Sequence, residues 1–278
     1  PQVGYRLSSW FARLLARRKS SPIVQAVRKN QWVIRGGEIT PQELDEAVIE
    51  VFTHAGHCFV DLYHNLQYPE GIKSLVLETP TSRELIQCSQ DRSRGAFLAA
   101  PHLSNFDLCL LSLAYRGLHG QVLTYTQPTG GYEIQNNIRA QTGLDITPIS
   151  SRVNREAINN MRTGGLVITG VDRPIRDKTH YLDFFGLPSP LPAGHISMAI
   201  EAEAPVIVPS ASMDDQGKYH IHFSDPIPME PHPEKHTEIK INAEKVLKVI
   251  EERIRQNPGQ WLMYYPLWPE VKIDGKSE

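Results

Sequence analysis

AFLAAPHLSNFDLCLLSLAY, residues 96–115, is the stretch whose reading decides the fold. Residues 96–100 form a short apolar run of strand character, and residues 108–115 an apolar run of helical character, with Pro101 and Ser104 punctuating the join. A strand that ends, turns through His102 and enters a helix puts that histidine at the carboxyl edge of a sheet, where open α/β sheets bind their ligands. His102 and Asp107 stand five positions apart. Five steps on a continuous helix rotate by about 140° beyond a full turn, so the two side chains meet only if His102 lies in the turn and Asp107 inside the helix. That geometry predicts a catalytic dyad, in which a carboxylate sets the tautomer of an imidazole and raises its basicity. Ser104-Asn105-Phe106-Asp107 fits a Ser-x-x-acid helix cap equally well, and on that reading Asp107 is structural and His102 a loop residue.

Outward from this stretch the pattern alternates. Strand-like runs fall at 74–78, 122–126, 145–149, 166–169, 206–211 and 219–223, with helix-like segments at 82–90, 105–116, 131–142, 153–163 and 194–203 between several of them. Upstream, Thr40-Pro41 with Glu43 reads as a capped helix start running to about residue 66, and a last long helix spans about 236–256. The fold class is α/β: a mostly parallel central sheet flanked by helices, with an N-terminal helical arm. Residues 1–66 read as a basic amphipathic arm plus the long helix, and residues 67–278 as one α/β unit.

At 278 residues, with 40% hydrophobic and 22% charged side chains, the chain has the composition of an ordinary globular protein. Cys58, Cys88 and Cys109 are widely spaced, which indicates neither a disulfide framework nor a zinc knuckle and points to a reducing compartment. The net charge of −2 hides an asymmetry. Residues 1–37 contain Arg6, Arg13, Arg17, Arg18, Lys19, Arg28, Lys29 and Arg35 and no acid, so the remainder is strongly acidic. Trp10, Phe11, Leu14 and Leu15 lie among those bases at helical spacing, which reads as an interfacial membrane anchor over residues 1–35 or as a basic helix docked on the acidic body. Because the basic charge is so local, no nucleic-acid partner is expected.

No G-x-S-x-G elbow, Walker A loop, G-x-G-x-x-G or H-E-x-x-H occurs, which weighs against serine hydrolase, nucleotide-hydrolysing, dinucleotide and zincin readings together. His220 and His222 share one face of a strand, with His232 and His236 further on, but an exposed strand pair is usually only that, and no metal is expected. Asp172-Arg173 follows an apolar strand and Gly170, well placed for a ligand, with Arg173 suited to a phosphate.

Taken in order, these pieces resemble the bacterial lipid A biosynthesis acyltransferase family, within the broader His-x4-Asp acyltransferases, and resemble its phosphatidylinositol mannoside acyltransferase members more than its lipid A enzymes. The resemblance is carried by Arg28-Lys29-Asn30 with Gly36-Gly37, Asp61-Leu62-Tyr63-His64, Pro101 to Asp107 and Gly143 to Pro148. It continues through Gly170-Val171-Asp172-Arg173, Phe184-Phe185-Gly186, Pro192-Ala193-Gly194, Ala204 to Pro209, and Pro258-Gly259-Gln260-Trp261. Three departures stand out. Ser104-Asn105-Phe106 replaces the family's common Gly-Asn-Trp. Tyr264-Tyr265-Pro266-Leu267-Trp268 stands where lipid A enzymes carry paired arginines, and the family's preceding transmembrane helix has no counterpart in residues 1–278. The second departure tilts the acceptor from lipid A towards a glycolipid, phospholipid or other polar lipid.

The resemblance implies a glycerol-3-phosphate acyltransferase-like fold. It implies transfer of a fatty acyl chain from acyl-CoA or acyl-carrier protein to a lipid hydroxyl, on the cytoplasmic face of the cell membrane, as a peripheral or monotopic protein. No cofactor is implied beyond the acyl donor as co-substrate. His102 is then the general base, held by Asp107. Ser104, Asn105, Arg139, Asp172 and Arg173 border the substrates, Arg173 first and Arg139 second as phosphate ligands, and Phe184, Phe185 and Gly186 shape an acyl slot. A thioesterase-like acyl hydrolase and a non-catalytic lipid-binding protein are the competing classes.

Overall fold

The computed structural model describes residues 2–125, 131–175 and 181–273. Its N-terminal part is helical: α1 (Gln2–Ala16), α2 (Pro22–Ile34), α3 (Pro41–Asn65) and the short α4 (Pro69–Leu75), the last not foreseen in the sequence. Thr40 starts α3 as expected, its Oγ1 accepting from the Glu43 N–H at 3.3 Å while the Glu43 carboxylate accepts the Thr40 N–H at 2.8 Å. Helix α1 lies along α3, and Gly56 lets the two approach, since a Cβ there would stand 2.7 Å from that of Ser8.

The α/β part follows with β1 (Val76–Leu77), α5 (Pro80–Asp91), β2 (Ala96–Ala100), α6 (Phe106–Tyr115), β3 (Gln121–Thr124), α7 (Gly131–Ala140), β4 (Asp145–Pro148), α8 (Ser151–Arg162) and β5 (Leu166–Gly170). Beyond these come β6 (Leu182–Phe184), β7 (Leu187–Ser189), α9 (Gly194–Ala202), β8 (Val206–Ile207), β9 (Pro209–Met213), β10 (Tyr219–Phe223) and α10 (Lys235–Gln256). Five strands form a parallel sheet in the order β4-β3-β5-β2-β8. Its central strands β2 and β5 read as nearly unbroken apolar runs because both faces are covered. Phe97, Leu123 and Val167 face a core shared with α8, α9 and α10, while Leu98, Val122 and Ile168 face one shared with α6.

Two departures from the sequence expectation have local causes. Residues 206–211 read as one strand, yet the chain divides there. Val206–Ile207 pairs with β2, and Pro209, which has no N–H to extend that ladder, opens a strand that pairs antiparallel with β10 in a second sheet, β1-β10-β9. The β6–β7 hairpin was not foreseen either. It turns through Phe185 and Gly186 at φ of 55° and 75°, both in the left-handed region that such tight hairpins use.

Strand β2 pairs with β5 on one edge and β8 on the other, and the residue before it lies tight against α8. A Cβ on Gly95 would lie 1.8 Å from the Met161 carbonyl oxygen, a backbone atom that cannot swing aside. Gly95→Ala is expected to cost at least about 2 kcal/mol in urea unfolding. Gly217→Ala, whose Cβ would meet nothing within 4 Å, is expected to cost only the roughly 1–2 kcal/mol of its left-handed backbone.

Candidate active site

Strands β2 and β5 run side by side in register, Ala100 opposite Gly170, and the ladder continues with the Val171 N–H on the Ala100 carbonyl at 3.1 Å. The chain after β2 leaves for the face covered by α6, and the chain after β5 leads to α9 on the other face. Adjacent parallel strands whose exits diverge in this way open a crevice at their carboxyl ends. His102 and Asp172 occupy its floor, each two residues past its strand.

The expected contact between His102 and Asp107 is corrected by this geometry. The carboxylate on the His102 imidazole is that of Asp172: Nδ1 lies 2.5 Å from its Oδ1. The other oxygen, Oδ2, accepts the His102 backbone N–H at 2.9 Å and the Trp261 indole N–H at 2.8 Å. Burial works against a charge on Asp172, but the His102 imidazole and these three hydrogen bonds outweigh it and hold the carboxyl below the usual carboxylate range. An ionised carboxylate only accepts, so the imidazole donates from Nδ1 and its Nε2 is the nitrogen left for a substrate. Gly170 makes room for the ring, since a Cβ there would stand 2.6 Å from His102 Cε1. The Phe106 ring meets it edge-on with centroids 5.0 Å apart.

Asp107, in the first turn of α6, is engaged instead by Arg139, whose Nε donates to Oδ1 at 2.9 Å and whose Nη2 donates to the same oxygen. Arg139 Nη1 also donates to Asn136 at 3.0 Å, and both members of the ion pair are buried. The four-residue spacing therefore serves two separate pairs. It sets the imidazole against the neighbouring strand's carboxylate, and it sends Asp107 to a guanidinium that arrives from α7.

Ser104 and Asn105 shape the turn between them. Ser104 has φ of 51°, its N–H donates to the Gln260 carbonyl at 2.7 Å and its Oγ bonds His54 Nε2 at 2.9 Å. Asn105, rather than Ser104, caps α6: its Oδ1 accepts from the Leu108 N–H at 3.4 Å and its Nδ2 donates to the Cys58 carbonyl at 2.9 Å. Its Nδ2 also reaches the Tyr219 hydroxyl at 3.4 Å, which donates to Asp61 at 2.6 Å, and Tyr5 of α1 donates to the other oxygen of Asp61. Polar contacts thus run from the N-terminal arm to the turn that carries His102. His54, Asp61, Tyr219 and Gln260 were not singled out as site residues in the sequence, because their role depends on contacts between distant elements.

A cavity of about 390 Å³ opens beside His102, bordered also by Asp107, Arg139 and Arg173. The Arg173 guanidinium lies over the Tyr265 ring, 5.3 Å from its centroid. On the α6 face the cavity is apolar, walled by Leu98, Val122 and Ile168 of the sheet and Cys109, Leu110 and Leu113 of α6. On the opposite face it reaches Leu123, Asn154 of α8, and His195 and Met198 of α9. Phe184, Phe185 and Gly186 do not line it. Phe184 is buried in the core, 5.9 Å from Trp268 and 6.2 Å from Trp261 by ring centroids, and Phe185 lies beneath the Arg255 guanidinium at 4.6 Å. These residues make the hairpin's turn and its packing, not the cavity wall.

Residues 3–270 match the family Bacterial lipid A biosynthesis acyltransferase, and the chain belongs to that family. Two relatives are the phosphatidylinositol mannoside acyltransferases of Mycobacterium tuberculosis strains ATCC 25618 / H37Rv and CDC 1551 / Oshkosh. Each is 29% identical over 119 residues, a match that covers 41% of this chain and 37% of the relative's length. The resemblance noted in the sequence to mannoside-type members agrees with these relatives.

The buried histidines make the site's support sensitive to acid. Burial, with a smaller push from nearby His57, lowers His54 to about 4, so the folded protein keeps it neutral while the unfolded chain protonates near 6.5. Stability from this group is complete above pH 6.5 and is lost as pH falls from there towards 4, at roughly 1.4 kcal/mol per unit. Asp172, held below its ordinary value, stays charged through that window. Thermal unfolding at pH 7.5 and 4.5 is expected to show a lower midpoint in acid, and His54→Gln to reduce the drop.

Proposed function

We propose that the protein is a membrane-associated O-acyltransferase that moves a fatty acyl chain from acyl-CoA or acyl-carrier protein to a hydroxyl of a glycolipid or phospholipid. The observation that carries this reading is an imidazole oriented by a buried carboxylate in the wall of a largely apolar cavity. His102 Nε2 takes the proton of the acceptor hydroxyl as its oxygen attacks the thioester carbonyl. The tetrahedral intermediate then collapses with cleavage of the carbon–sulfur bond, and the imidazolium returns its proton to the departing thiolate. Asp172 stabilises the imidazolium between these steps, the part a carboxylate plays in hydrolase triads.

The remaining site residues divide the substrates between them. Leu98, Leu110, Leu113 and Ile168 enclose the acyl chain on the α6 face. Arg173, at the mouth, takes a phosphate of donor or acceptor, and Arg139, fixed by Asp107, places a second positive charge beside the reacting carbonyl. Helix α1 supplies the membrane contact. Val3, Leu7, Trp10, Phe11 and Leu14 are exposed on it, Trp10 at 56% and Phe11 at 60%, and Phe59 of α3 at 62% continues the patch. An exposed apolar face of this kind, with Arg6, Arg13, Arg17 and Arg18 on the same helix and just after it, suits insertion at an anionic lipid surface. No helix among the described residues is long and apolar enough to cross a membrane. This reading puts the protein at the cytoplasmic face of the cell membrane, where it meets its thioester donor.

Palmitoyl-CoA incubated with the protein and liposomes of total cellular lipid is expected to release thiol and give a new acyl-lipid by mass spectrometry. His102→Ala and Asp172→Asn are each expected to lower turnover by about 10²–10⁴-fold. Free palmitate as the sole product would show a hydrolase instead. Leu113→Trp, which fills the apolar chamber, is expected to shift preference from palmitoyl-CoA to octanoyl-CoA by about tenfold in kcat/KM.

A further inference from the structure

Buried side-chain polar atoms in folded proteins nearly always have a partner. Among the described residues four lack one: Thr124 Oγ1, Asn154 Oδ1, His195 Nε2 and Ser210 Oγ. All four belong to residues that line the cavity beside His102. Thr124, His195 and Ser210 are each more than nine-tenths buried. Each orphaned atom costs about 1–3 kcal/mol of desolvation unless water or a ligand held in the cavity satisfies it.

The four divide between the two sides of the sheet. Leu98, Val122 and Ile168 stand level with one another on the α6 face, whose lining is largely apolar. Thr124, two residues after Val122, shares that face, and Ser210 belongs to β9, which packs against α6. Asn154 and His195 come from α8 and α9, which cover the opposite face, so they serve the other chamber. Gly194, immediately before His195, also borders the cavity and is itself exposed, so this side opens to solvent. It therefore has an entrance and two unsatisfied polar groups. Burial lowers His195 to about 4, which keeps its imidazole neutral at physiological pH. An amide oxygen and a neutral ring nitrogen suit hydroxyl groups, which donate and accept, better than they suit an anion.

We propose that the chamber beneath α8 and α9 holds a hydroxyl-rich head group of the lipid acceptor, read by Asn154 and His195. This rests on the acyl-transfer reading and adds to it the residues that choose the acceptor. The acyl chain and the head group then lie on opposite faces of the sheet's carboxyl edge, with His102 between them. A reactive hydroxyl on the head group is thereby presented to Nε2 while the rest of the polyol is held by neutral hydrogen bonds. Selectivity follows from the same physics: an alcohol without further hydroxyls enters the chamber but leaves its polar atoms unpaired.

The test compares octyl glucoside with 1-octanol as acceptors for palmitoyl-CoA, with the full chain and product detection by mass spectrometry. The wild-type protein is expected to favour the glucoside at least tenfold in kcat/KM. In Asn154→Leu and His195→Leu that preference is expected to fall at least fivefold, and His195→Gln, which restores a polar atom, is expected to recover part of it. Asn154 is only partly buried on α8, so its replacement tests the idea in a protein whose core is untouched. Equal wild-type rates on the two acceptors, or an unchanged preference in Asn154→Leu, would overturn the proposal. So would a raised KM for palmitoyl-CoA with preference unchanged, since that assigns the chamber to the pantetheine arm of the donor. Absence of acylated product from any acceptor with palmitoyl-CoA and with palmitoyl-acyl-carrier protein alike would refute acyl transfer itself and the proposal with it.

Discussion

The parallel pairing of β2 with β5 is the constraint on which the rest of this structure depends. Five residue pairs in register bring the ends of the two strands level, so that the first polar residues beyond them face each other across one strand spacing. Without that alignment the Asp172 carboxylate has no imidazole to orient and Trp261 no oxygen to hold. The two glycines that flank the arrangement answer to the same requirement. Gly95 lets β2 enter beneath the carbonyl of Met161, and Gly170 leaves the space into which the imidazole folds.

Support for the turn comes from every side. Gln260 accepts the Ser104 N–H on its carbonyl, the His102 carbonyl accepts the Leu262 N–H at 2.9 Å, and His54 meets Ser104 from α3. Ser104 adopts a left-handed backbone that costs about 1 kcal/mol for a residue with a Cβ. These contacts explain how that conformation persists. They also favour serine at this position, because its hydroxyl gains a buried partner in His54.

Much of this was legible in the sequence, and the rest was not, for identifiable reasons. The strand–turn–helix at 96–115 could be read because apolar runs of characteristic length flank a proline and a serine, a purely local signal. The place of His102 at a sheet edge followed from it. Its partner did not follow, because Asp172 is 70 residues away and which strand neighbours β2 is decided by sheet order, to which a local pattern is blind. Asp107 drew attention by proximity in sequence, whereas its buried position attracts an arginine from another helix. Phe184-Phe185-Gly186 misled in the opposite sense. Aromatic side chains suit an acyl slot and a hydrophobic core alike, and only the hairpin shows that Phe184 lies with Trp261 and Trp268. The N-terminal arm was recognisable as amphipathic, but its polar tie through Tyr5 to Asp61 was not, since neither residue departs from an ordinary helix.

The register of β2 against β5 also carries information of a second kind. Side chains on a strand alternate between faces, so a slip of one residue would send Asp172 away from His102 and turn every neighbouring core residue outward. An error in assembly of the centre of the sheet would thus leave no partly active species behind. Under the proposed acyl transfer, recovery of turnover on refolding reports correct closure of the sheet, the last long-range pairing, rather than the collapse that precedes it.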